Sequence, residues 1–202
     1  MIKLPEKKII SKCIEEFELQ TQIEFKLIIE KKSYSYNEVI FTILLVFVFI
    51  FWGSVHFLEA DFDFNIIYFE ALFLVIFSYV FLSKLLVIQY FLPENFKLKK
   101  AKERALFLFA REKIYKTQLR SGMLLYYSKL EKKGIFIADE GVKEKINPEQ
   151  LEHWQAEFNR SINSENFIDE LGAFIRTFGV FCHRVWPDET FTNELSNEVL
   201  GK

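Results

Sequence analysis

The stretch Val39–Leu58 reads VIFTILLVFVFIFWGSVHFL, twenty residues without a formal charge. A helix of about 20 residues at 1.5 Å rise matches a hydrocarbon core of roughly 30 Å. A helix buried in a soluble domain is rarely apolar for so long, so this segment is predicted to cross a membrane. A second candidate runs from about Ile66 to Leu86 and extends toward Leu92. Its ionisable residues, Glu70 and Lys84, stand 14 positions apart, roughly 21 Å along a helix, and are too distant to pair. Glu70 then lies near one interface while Lys84 snorkels to the other. A sharper alternative makes Glu70 a proton or ion site within the bilayer.

Working outward, the charge is segregated. The chain has 202 residues, 27% of them charged, yet Glu38–Leu92 holds 12 of the 24 Phe and a single Lys or Arg, Lys84. That excludes a plain soluble globule, a disordered chain and a disulfide-stapled scaffold. A net charge of -2 offers no general case for nucleic-acid binding. The link between the two apolar segments, Glu59–Asn65, is acidic and free of Lys and Arg. Lys26, Lys31 and Lys32 precede the first segment, and Lys97, Lys99, Lys100, Lys102 and Arg104 follow the second. Basic residues on both outer flanks place both termini and the soluble part in the cytoplasm, on an inner membrane. The same run beyond the second segment would lie against anionic lipid head groups. No cleavable leader pattern is visible, and two cysteines, Cys13 and Cys182, fit a reducing compartment.

The soluble part reads as α/β. Ile9, Ile10, Cys13, Ile14 and Phe17 mark a helix begun by Pro5. In Gln22–Glu30, Ile23, Phe25, Leu27 and Ile29 alternate with mostly polar residues, the pattern of a half-covered strand. An amphipathic helix is predicted over about Asn95–Thr117. Ser121–Ser128 and Gly134–Gly141 flank a polar turn and read as a β-hairpin whose first strand is covered on both faces. The first strand and Ser121–Ser128, joined through a helix, should be parallel with a right-handed crossover. The fold class is therefore a small mixed sheet of at least three strands with flanking helices, interrupted by a two-helix transmembrane hairpin. Its parts are residues 1–37 (helix and first strand), 38–92 (hairpin), 93–188 (the rest of the domain) and 189–202 (a polar tail). Asn147-Pro148-Glu149-Gln150 is a helix start with a reciprocal cap. Ser164 is placed to cap the last helix.

Chemistry-bearing patterns are sparse. Glycine-rich nucleotide loops, HExxH and CxxC are absent, and His56, His153 and His183 stand apart from one another. The one suggestive cluster is Asp139-Glu140-Gly141 at a strand end, where α/β sheets place ligands and adjacent carboxylates can hold a divalent cation. Glu144 and Glu149 can add oxygens. The plainer alternative is a solvated turn in which Gly141 takes a positive φ.

The segment Arg120–Ser128, RSGMLLYYS, resembles the "(R)TGILIyvS" strand of the TPM domain family. Ile137–Val142, IADEGV, is similar to the "iaDeGi" motif of a bacterial membrane branch of that family, in which a hairpin interrupts the domain. Trp154, Trp186-Pro187 and Asn193-Glu194-Leu195 follow in the matching order. The resemblance implies a central sheet with helices on both faces, and either accessory roles beside membrane proteins or phosphatase activity. An Asp-rich early segment linked to cation binding in fuller members is missing, so no catalytic residue carries over. Gly122, Asp139, Glu140, Gly141 and Trp154 transfer as motif positions only. The leading expectation is a membrane-anchored binding or accessory module without a catalytic site. A metal-assisted phosphatase using Asp139 and Glu140 is the alternative.

Overall fold

In a computed structural model, residues 4–57, 64–82, 92–187, 195 and 200–201 are described. The chain divides into two compact units: 1–33 together with 94–202, and the inserted 34–93.

In the first unit, helix α1 (Leu4–Glu18) leads to strand β1 (Glu24–Glu30). After the insertion come α4 (Glu94–Arg111), a 3-10 turn (Ile114–Lys116), and the hairpin β2 (Gly122–Ser128) and β3 (Lys133–Ala138). Helices α5 (Glu140–Lys145), α6 (Pro148–Ile162) and α7 (Phe167–Val185) follow, then a two-residue strand β4 (Leu200–Gly201). The sheet order is β3-β2-β1-β4. β1 and β2 are parallel over their full length, from Glu24 opposite Gly122 to Glu30 opposite Ser128, while β2 and β3 are antiparallel. The mixed sheet expected from the sequence is present, with β4 as an additional short edge.

Alternation assigns each strand residue to one face. Phe25, Leu27, Ile29, Met123, Leu125 and Tyr127 enter a core shared with Ile10, Phe17, Phe158, Phe174 and Phe178 of α1, α6 and α7. Ile28, Leu124, Tyr126 and Ile135 meet Ala101, Ala105 and Leu108 of α4 on the other face. Each fully buried Leu, Ile or Phe contributes about 1.5–3 kcal/mol, so two cores clamp the sheet.

Three features of the first unit depart from the sequence expectation. β1 is not half-covered: all seven of its residues are buried. Its polar positions are buried with partners, Lys26 with Glu112 and Glu30 with Arg104. The helix expected to reach Thr117 stops at Arg111, because Lys113 adopts a left-handed φ of 57° and opens the 3-10 turn. At α6 the predicted cap is realised in full, with Asn147 and Gln150 bonding each other's backbone amides. Ser164 is different: its hydroxyl accepts from Asn166 N at 3.3 Å, and Asn166 takes the cap position of α7 without a side-chain bond.

In the second unit, α2 (Asn37–Phe57) and α3 (Phe64–Leu82) pack on each other. Within α2, Asn37–Ser54 is long and apolar enough to cross a membrane, and it is mostly exposed, unlike a core helix. Among the described residues only this one helix qualifies, where the sequence reading expected two. α3 contributes a shorter apolar stretch, Ala71–Val80, about 15 Å of helix. Lys84, the rest of the expected second span and most of the acidic link lie outside the described residues.

Candidate functional site

The motif residues gather where the end of β3 meets the approach to β2. Asp139 leaves β3 with extended backbone and caps α5, its Oδ1 accepting from Glu140 N at 2.8 Å. Arg120 reaches across from the loop before β2. Its Nη2 donates to Asp139 Oδ1 at 3.3 Å and its Nη1 pairs with Glu140. The two carboxylates therefore share a guanidinium. Asp139 is buried, and its Oδ2 has no hydrogen-bond partner among the described residues. Glu144 and Glu149 are exposed. Among the described residues no group of three or more His, Cys, Asp or Glu is placed to hold a metal ion.

The glycines of the motif answer to crowding. No described glycine has a positive φ, which corrects the expectation for Gly141. A Cβ on Gly141 would press on the Leu119 carbonyl oxygen and stand 2.9 Å from that of Arg120. Gly141 N donates to Arg120 O at 3.1 Å, so α5 starts against the loop with no room for a side chain. Gly122 is constrained alike by Ile114 of the 3-10 turn. Trp154, the other motif position, is half-buried and packs at 5.1 Å on Phe178 and 5.3 Å on Phe181. It is a core aromatic of α6. The geometry at this corner locks a loop, a strand end and a short helix together.

A second cluster, not anticipated from the sequence, lies at the carboxyl ends of β1 and β2. Arg104 of α4 makes a bidentate pair with Glu30 at 2.8 and 2.6 Å, and Tyr126 Oη donates to the same carboxylate at 3.2 Å. Glu131, in the turn after β2, is buried and accepts from Ser128 Oγ and from Ser33, at 3.1 Å from the amide and 2.7 Å from the hydroxyl. Ser33 is the last residue of the first unit before the insertion. Glu30 holds the Arg104 guanidinium above its ordinary pKa, and burial followed by the nearby Glu30 charge pushes the Tyr126 phenol up. Neither group titrates in the physiological range. The only hint in the sequence was the polar face of β1.

The remaining candidates do not converge. Burial pushes the Cys182 thiol up, which suppresses a nucleophilic thiolate. His183 Nδ1 meets Gln20 O at 2.6 Å and His153 lies edge-on to Trp154. The side chains of His56 and Glu70 lie outside the described set, as do Asn193 and Glu194. The basic run of α4 is divided. Lys97 pairs with Glu94, Lys100 with Glu103, and Arg104 with Glu30. Lys99 and Lys102 stand exposed.

No protein-family model matches the chain, and no curated protein matches it in sequence. Among solved structures, the NMR structure of the BA42 protein from the psychrophilic bacterium Bizionia argentinensis is similar, with a TM-score of 0.61 and 15% identity. The match covers 100% of this chain and 96% of that one. At this identity the likeness concerns the fold alone, and the chain has the fold of BA42.

Proposed function

We propose that the chain is a membrane-anchored, TPM-like domain that binds or assists a membrane protein complex and performs no catalysis itself. The observation that carries this reading is the place of the apolar unit. It is inserted between β1 and β2, two adjacent parallel strands of one sheet. A tail at either terminus would tether the domain loosely, whereas an insertion at this point ties the sheet centre to whatever α2 and α3 contact. Phe41, Phe47 and Phe49 of α2 and Phe69, Phe73 and Phe77 of α3 are exposed. An aromatic surface of this kind suits lipid and the packing of a partner helix. Basic residues on both flanks support a hairpin with both spans crossing and the domain in the cytoplasm. Arg120 between Asp139 and Glu140 favours a structural corner over a cation site, since a bound cation would have to share the carboxylates with a guanidinium.

The test is photo-crosslinking in cells from Phe47 and Phe73, each replaced by a photoreactive phenylalanine. A discrete adduct with the same membrane protein from either position is expected. Lipid adducts alone would refute partner binding. A generic phosphomonoester supplies the second arm. Turnover that needs a divalent cation and disappears in the Asp139→Asn, Glu140→Gln double variant would replace this reading with a metal-assisted phosphatase.

A further inference from the structure

Helix α4 buries one apolar face in the fold and leaves further large apolar side chains exposed. Ala101, Ala105 and Leu108 are fully buried against the sheet. Flanking that face, exposed Leu98, Lys102 and Leu106 stand one above another at four-residue spacing, with Lys99 beside them. Leu98 is 46% exposed and Leu106 49%. One turn on, exposed Phe107 lies between the guanidinium groups of Arg104 and Arg111, at 5.3 and 5.7 Å. From Glu94 to Arg120 the chain has nine Lys and Arg against three Glu, in a protein whose net charge is -2. A helix that shows large aliphatic side chains and exposed lysines together, flanking its buried face, suits the interface of an acidic bilayer. There the leucines enter the acyl boundary and the ammonium groups reach the phosphates.

We infer that the exposed face of α4, formed by Leu98, Lys99, Lys102 and Leu106, lies flat on an anionic bilayer surface. It is a membrane contact separate from the spanning helix. The inference rests on the membrane-anchored reading, because α4 starts directly after the inserted unit and is then delivered to the surface by the chain itself. It also narrows the recognition chemistry: Lys99 and Lys102 supply the charge, while Lys97, Lys100 and Arg104 are taken up by carboxylates of the protein. Each surface lysine multiplies the bound-to-free ratio about fivefold, and the pair therefore roughly 25-fold.

The full chain, carrying a nitroxide at Leu106→Cys, is reconstituted into nanodiscs of phosphatidylcholine with and without phosphatidylglycerol. Collision rates with oxygen and with a water-soluble nickel chelate give the depth of the probe. Residue 106 is exposed, so the label does not disturb a core. In the anionic discs it should be shielded from nickel and open to oxygen. Lys99→Gln with Lys102→Gln, or high salt, should shift the bound-to-free ratio back by about 25-fold. A control label at Lys12→Cys on α1 should stay open to nickel in both lipids. Equal nickel access at 106 in both lipids overturns the inference, as does shielding that ignores the lysines or is shared by the control. A chain absent from the disc fraction would instead refute membrane anchoring, and this contact with it.

Discussion

Replacing Gly122 by alanine puts a methyl group where β2 begins beneath the 3-10 turn. The added Cβ would stand 2.8 Å from Ile114 Cγ2 and 3.0 Å from the Ile114 carbonyl carbon, and closer still to the carbonyl oxygen. Favourable carbon contacts lie at about 3.5–4.0 Å, so the turn must retreat by roughly an ångström. It is not free to do so. Ile114 is fully buried, and the turn is tied by Lys116 N to Lys113 O at 2.9 Å and Arg120 N to Thr117 O at 3.0 Å. Overpacking of this kind costs about 1–3 kcal/mol. At roughly 4 °C per kcal/mol for a unit of this size, Tm falls by about 4–12 °C. Gly172→Ala is the internal control. It lies inside α7, and the nearest atoms to an added Cβ are 3.6 and 3.7 Å away. There alanine should stabilise by roughly 0.5–1 kcal/mol through backbone entropy, raising Tm by about 2–4 °C. Thermal unfolding of both variants in one detergent, followed by tryptophan fluorescence, gives the answer. A Gly122→Ala protein as stable as the parent, or a Gly172→Ala protein equally damaged, would refute the assignment of Gly122 to close backbone approach.

Two further outcomes follow from the same geometry. Gln155 and Asn159 of α6 cover the outer edge of β3: Gln155 accepts from Phe136 N and donates to Gly134 O, and Asn159 accepts from Gly134 N at 2.8 Å. Gln155→Ala with Asn159→Ala should expose an unpaired edge, lower stability by about 1–3 kcal/mol and raise the aggregated fraction on size exclusion. An unchanged monomer fraction and Tm would count against that role. Glu94, held by Lys133 at 2.8 Å and Lys97 at 2.7 Å, has its pKa lowered from 4.5 to about 2. A lowered carboxylate pKa stabilises the fold above the unfolded value and loses the effect as pH falls toward the folded one. The difference in Tm between the parent and Glu94→Gln should be present at neutral pH and shrink as pH drops from 4.5 toward about 2. Because Glu94 is largely exposed, the effect should stay below about 1 kcal/mol. A difference that grows on acidification would contradict the pairing.

Repeating patterns along an element were legible in the sequence, whereas the partners of individual side chains were not. The β2–β3 hairpin and the Asn147–Gln150 cap depend on local patterns, and the parallel pairing of β1 with the distant β2 follows from the periodicity of each strand and the helical connection between them; all are present. The burial of β1's polar face was illegible because its partners, Arg104 and Glu112, arrive from 74 and 86 residues away. From inside the strand, Lys26 and Glu30 look like solvent positions. The same holds at the motif corner. A short D-E-G string reads as a cation ligand or a turn, and only Arg120, 19 residues earlier, makes it an ion-paired helix cap. Gly141 was misjudged for a related reason: crowding by the Leu119 and Arg120 carbonyls leaves no local trace. β4 was missed since two residues in a polar tail carry no periodicity. Gly122 and Trp154, expected as motif positions, sit in close packing, Gly122 against Ile114 and Trp154 against Phe178.

Under the proposed function, an apolar insertion anchors this sheet to a membrane with the domain on the cytoplasmic side. Protease protection in spheroplasts tests it most directly, using a chain tagged at its C-terminus. External protease should leave the tagged fragment intact until the membrane is lysed, and the chain should resist extraction at alkaline pH. A tag lost before lysis, or a chain released by alkaline washing, would contradict the account.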